Sequence, residues 1–168
     1  EIGSISKVFT STLLANSVID EKINLNDNIN GYLKASFNNN IEISFIDLAN
    51  HTSGLPRLPS NLDLAKVNPE NPYKDYKEKE LEEYLTTHLE VSNKGEYQYS
   101  NTGAGLLGFT LSKIENVTYE SLLKNKIFSR IIIILLSCSS TFHSCCYLWH
   151  TNSNYFSCCT SSSWAYTY

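Results

Sequence analysis

Glu1-Ile2-Gly3-Ser4-Ile5-Ser6-Lys7-Val8-Phe9-Thr10 opens the chain, and its reading governs everything after it. From Ser6 to about Asp20 the apolar residues Val8, Phe9, Leu13, Leu14 and Val18 recur at three-to-five-residue spacing, which predicts a helix. Ser4 and Lys7 stand three residues apart at its start, so hydroxyl and amine share one face. A serine is a weak nucleophile until a base takes its proton. An amine beside it can have its pKa lowered enough to serve. The helix N-terminus adds positive potential where negative charge would develop. Alone, the pair is better accounted for by a helix N-cap followed by a surface lysine.

Further along, Ile41-Glu42-Ile43 alternates like a brief strand, and Ser44 with Asp47 resembles a capping box that opens Phe45 to Ala49. His51-Thr52-Ser53-Gly54-Leu55-Pro56 ends that helix in a loop, and four prolines keep the chain irregular to Tyr73. Lys77 to Leu89 reads as an amphipathic helix with Leu81, Tyr84, Leu85 and Leu89 on one face. Tyr99-Ser100-Asn101 then leads into a helix containing Gly103, Gly105 and Gly108. Glycine costs about 1 kcal/mol per helix position relative to alanine, so three of them predict a close neighbour. A last helix spans Thr118 to Phe128. Tyr99 near a lysine could lose its proton below the usual phenol pKa of about 10 and act as acid or base. The Asn101 carboxamide could orient an amine or hold a substrate amide. A core tyrosine and a helix cap fit the same residues.

The 168-residue chain has 13 Lys and Arg, 17 Asp and Glu, and a net charge of −4. No basic footprint for nucleic acid exists. A hydrophobic share of 42% excludes a disordered chain. No signal-peptide pattern opens the chain at Glu1, and so abrupt a start predicts an N-terminal truncation. Composition breaks near residue 128: residues 1–128 hold all 17 acids, all seven Gly and all four Pro, whereas residues 129–168 hold a single formal charge, Arg130, and all five Cys. Three readings compete for this tail. A membrane segment would need about 20 mostly apolar residues, but the unbroken aliphatic run is only Ile131–Leu136. A metal site from Cys138, His143, Cys145, Cys146, His150, Cys158 and Cys159 lacks paired Cys-x₂₋₄-Cys knuckles. The favoured reading is an aberrant Ser/Cys-rich tail, translated out of frame or unstructured. No metal or other cofactor is expected.

Together, Ser4-Ile5-Ser6-Lys7, His51-Thr52-Ser53-Gly54-Leu55-Pro56 and Tyr99-Ser100-Asn101 form an ordered trio. It resembles the serine β-lactamase and penicillin-binding protein family, in its class C β-lactamase and D-alanyl-D-alanine carboxypeptidase/esterase branch. The resemblance runs from Glu1 to Phe128 and includes the Thr118-Tyr119-Glu120-Ser121-Leu122-Leu123 helix start. It implies a mainly α fragment of an α+β fold: a helical domain with the nucleophile helix, most of the antiparallel sheet missing. It implies that residues 1–128 are a partial β-lactamase-like domain. Ser4 would be the acylated nucleophile and Lys7 its activating amine. Tyr99 would be general base or acid, and Asn101 would orient Lys7 and the substrate amide. His51 would belong to a structural loop and stay neutral. The substrate would be a β-lactam, a D-Ala-D-Ala peptide or another peptidoglycan-like molecule, or a small ester, met in the periplasm or cell envelope.

The family's Pro-Leu-Gly turn does not follow Phe128, and its third motif, Lys-Thr-Gly or His-x-Gly, is not found; His150-Thr151-Asn152 lacks the glycine. The strand carrying that motif would supply the second oxyanion N–H, whose loss costs about 10²–10³ in rate. A catalytically weak chain is therefore expected, or an inactive truncated homologue with at most a partner-binding role.

Overall fold

A computed structural model describes residues 2–33, 36–69 and 71–130, which fall in a unit spanning Glu1–Ser129 plus Arg130. A 3₁₀ turn, Gly3–Ile5, runs directly into helix α1, Ser6–Ile19. Then come α2 (Ile29–Leu33), α3 (Phe45–Ala49), α4 (Glu78–Glu83), α5 (Asn101–Glu115) and α6 (Tyr119–Leu123). Both α4 and α6 continue into wider π-type turns, Tyr84–His88 and Lys124–Phe128. The predicted helices over Lys77–Leu89 and Thr118–Phe128 are therefore present, each with a change of pitch part-way.

Local chemistry explains the helix ends. Ser44 Oγ accepts from the Asp47 amide at 3.3 Å while the Asp47 carboxylate accepts from the Ser44 amide at 3.4 Å, the reciprocal cap that the sequence predicts. Thr118 caps α6 one way only, its hydroxyl accepting from the Ser121 amide at 3.2 Å. At the far end of α5, Asn116 takes the left-handed conformation, and the amides of Asn116 and Val117 bond back to Lys113 and Ser112.

Helix α5 is the axis of the unit and packs against α1, α2, α3 and α6. Its buried residues Leu106, Leu107 and Leu111 join Leu13 and Leu14 of α1, Phe45 and Leu48 of α3, and Tyr84, Leu85 and Leu89 beyond α4. Each fully buried aliphatic or aromatic side chain contributes about 1.5–3 kcal/mol. Two sequence expectations need correcting. Ile41–Ile43 forms no strand: among the described residues the extended pairing is one antiparallel bridge, Asn28 with Ser44, because the chain turns straight into α2 and α3. Val8, placed in the apolar recurrence of α1, is 63% exposed and lies with Ile2 and Ile5 away from the core.

The glycines of α5 sit in three different settings. A Cβ on Gly108 would lie 3.1 Å from the Tyr119 ring, so here a neighbour does press close. Gly103 would make ordinary contacts with Ser100 and Leu48. Gly105 would meet nothing within 4 Å, so the expected close neighbour is absent at that position.

Candidate active site

The loop that follows α3 is the frame of the site. Gly54 has φ +74°, and a Cβ there would approach the Ser92 carbonyl oxygen to 2.5 Å, so only glycine lets the two backbones meet. Backbone bonds then clip the segment before α5 onto this loop. Ser92 donates to Gly54, Gly95 to Thr52 and Gln98 to His51. On the other side of Tyr99, the Asn101 amide donates to the Arg57 carbonyl at 3.0 Å. Ser100, only 1% exposed, donates its hydroxyl to Pro56 at 2.7 Å and accepts from the Gly103 amide at 2.9 Å, which also caps α5. Tyr99 is thus held from both flanks by backbone.

That frame carries Tyr99 to Ser4. The two oxygens lie 2.7 Å apart, across 95 residues of sequence. The Lys7 ammonium donates to Ser4 Oγ at 3.3 Å and sits 5.0 Å from the Tyr99 ring centroid. Ser4 Oγ accepts from the Lys7 side chain, and its hydroxyl and the Tyr99 phenol share a hydrogen bond that either can donate. Arg57 lies over the same ring at 5.7 Å. Lys7, donating toward the phenol, holds the Tyr99 pKa below its ordinary value of 10, with the Ser4 hydroxyl second and the charges of Lys7 and Arg57 adding to it.

His51, at φ +58°, accepts from the Ser100 amide through Nδ1 at 3.2 Å, and its ring lies 4.9 Å from that of Tyr99. An imidazolium has no acceptor nitrogen, so this bond requires the neutral form. Burial, and secondarily the Lys7 charge, push its pKa below 6.5 to the same effect. Structurally, His51 is a loop residue, as its motif suggested.

Asn101 lines the cleft of about 1070 Å³ that also holds Ser4 and Lys7. Among the described residues no hydrogen bond joins its carboxamide to Lys7. Ser4, Lys7 and Tyr99 are therefore brought together, with Asn101 beside them. The sequence reading missed Arg57 and Ser100. Ser100 had a signal, as the small polar residue directly before a helix; Arg57 had none, because cations are common after a loop. No group of three or more metal-ligating side chains occurs among the described residues, and no helix there is long and apolar enough to cross a membrane. The cysteine- and histidine-bearing tail, residues 131–168, lies outside the described residues.

With the site in place, comparison with known proteins defines the class. The chain belongs to the β-lactamase family, whose model matches residues 1–133. A β-lactamase of Providencia stuartii is 34% identical over 126 residues, covering 71% of this chain and 29% of that protein. Among solved structures, a β-lactamase/D-alanine carboxypeptidase from Yersinia pestis superposes with a TM-score of 0.63 at 27% identity, over 76% of this chain and 37% of the other. A class C β-lactamase from Rhodobacter sphaeroides gives 0.59 at 25% identity, over 76% and 33%. The chain therefore spans about a third of the length of these relatives, and its fold is the helical part of theirs.

Proposed function

We propose that this chain carries the acylating groups of a serine hydrolase acting on a β-lactam, a D-Ala-D-Ala peptide or a small ester. One observation carries the reading: Ser4 Oγ lies 2.7 Å from the Tyr99 oxygen and 3.3 Å from the Lys7 nitrogen, within reach of direct proton transfer to a Tyr99 phenolate. Ser4 Oγ attacks the carbonyl carbon and forms the new C–O bond. Its proton passes to the Tyr99 phenolate, which the Lys7 ammonium stabilises. The carbon–leaving-group bond then breaks as Tyr99 returns the proton to the leaving nitrogen or oxygen. Deacylation repeats the sequence with water in place of Ser4. Asn101, at the cleft wall, would hold the substrate amide. By family kinship the setting is the cell envelope.

A second reading, an impaired homologue with at most a partner-binding role, is favoured by the apolar row beside the nucleophile. Ile2, Ile5 and Val8 are 56%, 61% and 63% exposed, so the site has an open flank. The same experiment separates the two. The chain is incubated with a fluorescent penicillin or a fluorophosphonate and the adduct is located by mass spectrometry. Labelling of Ser4 that disappears in Ser4→Ala and slows by about 10²–10⁴ in Tyr99→Phe supports the enzyme. A folded chain that takes no label supports the impaired homologue.

A further inference from the structure

Arg57 stands beside the acyl-transfer groups, yet it moves no proton and forms no bond in the steps above. The clip that places Tyr99 also places this residue. Its carbonyl accepts from the Asn101 amide at 3.0 Å and the Thr102 amide at 3.3 Å, and the preceding Pro56 carbonyl accepts from Ser100 at 2.7 Å. Its backbone is thus pinned to the start of α5, while the residue is exposed and its guanidinium lies 5.7 Å from the centre of the Tyr99 ring. Among the described residues Arg57 enters no ion pair, in contrast to Lys22, Lys94, Lys113, Lys124 and Lys126, each of which faces a carboxylate. Its neighbours at the ring offer no counter-charge either: Lys7 is a second cation, 5.0 Å from the same ring centre, and His51 is held neutral. Two cations about one ring make a positive spot on a chain of net charge −4.

We propose that Arg57 is a specificity-determining residue, its guanidinium receiving a carboxylate carried by the departing half of the substrate. The inference rests on the acyl-transfer reading of Ser4 and Tyr99. In that reading Tyr99 hands a proton to the leaving atom, so the departing half lies against Tyr99, beside the cation that covers its ring. A guanidinium offers its N–H groups as a planar fork that matches the two oxygens of a carboxylate. With no acid to surrender among the described residues, Arg57 takes up such a group without losing an ion pair. Of the substrate classes proposed, a D-Ala-D-Ala peptide releases an amine bearing a carboxylate, whereas a neutral ester gives Arg57 nothing to hold.

The full chain is assayed with meta-acetoxybenzoate and its uncharged isostere meta-acetoxybenzamide, each rate taken relative to alkaline hydrolysis. Wild type should favour the carboxylate in kcat/KM, and Arg57→Gln should cut that preference about five- to tenfold. A change in the Tyr99 pKa or in the folded fraction acts on both esters alike and cancels in the ratio. Arg57→Lys, which keeps the charge and loses the fork, should lie between the two. The wild-type preference should also shrink as salt is raised to about 1 M, where the screening length is about 3 Å. Lys77→Gln is the control: Lys77 lines a smaller pocket beside Asn101 and enters no ion pair among the described residues, and its ratio should match wild type. The assignment is overturned by equal ratios in wild type and Arg57→Gln, by an Arg57→Lys ratio as low as that of Arg57→Gln, by a preference indifferent to salt, or by one lost in Lys77→Gln instead. In parallel, saturation-transfer NMR on Ser4→Ala should show the carboxylate ester binding more strongly than the amide, a difference that vanishes when Arg57→Gln is added. If neither ester acylates Ser4 but this difference holds, the hydrolase reading fails and Arg57 stands as an anion-binding residue. If turnover and the difference are both absent, Arg57 falls with it.

Discussion

Two glycines three residues apart on α5 should respond in opposite directions to the same substitution. At Gly105 a new Cβ would meet nothing within 4 Å, and the residue lies in the second turn of a 15-residue helix. Gly105→Ala should therefore stabilise the unit by about 0.8–1 kcal/mol, the helix-propensity difference, with no packing cost to set against it. At Gly108 the same gain meets a wall. The Cβ would stand 3.1 Å from Cε2 and 3.4 Å from Cδ2 of Tyr119, whose hydroxyl bonds to Thr10 at 2.6 Å, so the ring cannot swing away without breaking that bond. Overpacking of this kind costs about 1–3 kcal/mol, leaving Gly108→Ala less stable than wild type by up to about 2 kcal/mol after the propensity gain. Urea unfolding followed by circular dichroism reads both, the midpoint shifting up for Gly105→Ala and down for Gly108→Ala at unchanged slope. Equal stabilisation by the two substitutions would refute the claim that α1, α5 and α6 meet at this contact.

Three further outcomes follow. Tyr84 is 1% exposed, its hydroxyl has no partner among the described residues, and burial pushes its pKa up to about 12, so Tyr84→Phe should be neutral or stabilising by about 1 kcal/mol; a loss beyond 1 kcal/mol in the urea midpoint would expose a partner for that oxygen. The His51 pKa is lowered in the fold, so the unfolded chain takes up the proton first as pH falls, and stability should be full above about 7 and decline as pH drops through 6.5. His51→Asn, which keeps an acceptor and tolerates positive φ, should flatten that decline between pH 7 and 5; an unchanged slope assigns it to another group. Single-turnover acylation should rise with pH through the lowered Tyr99 pKa, and Lys7→Gln should move that limb up toward 10, with Arg57→Gln moving it by less. A limb that stays in place in Lys7→Gln removes Tyr99 as the base that Lys7 tunes.

What could be read from the sequence was what depends on neighbours along the chain. The Ser44–Asp47 cap, the α1 and α5 helices and the register that puts Lys7 one turn from Ser4 are all local patterns, and each is present. The Tyr-Ser-Asn element was recognisable as a motif, but its approach to Ser4 depends on the Gly54–Ser92 contact, which no local pattern encodes. Ile41–Ile43 was misread because alternation over three residues suits any extended segment, and here Ile43 is spent on a single backbone bond to Ile29. Val8 was misread because a recurrence with gaps of three to five residues covers more than one helix face. Arg57 had no signature: its significance is that it lies over the Tyr99 ring, which is a property of the assembled unit.

The Ser4–Tyr99 hydrogen bond joins residues 95 apart, and this separation has a kinetic meaning. Closing so long a loop occurs only after the chain between its ends has collapsed. Helix α1 brings Lys7 within reach of Ser4 from local sequence alone, whereas Tyr99 reaches Ser4 only in the docked unit. On the mechanism proposed above, activation of Ser4 would thereby be tied to docking of α1 beside the start of α5, and partly folded chains would carry an unactivated serine. An active-site label added during refolding would consequently time the arrival of tertiary structure, lagging behind the helical signal.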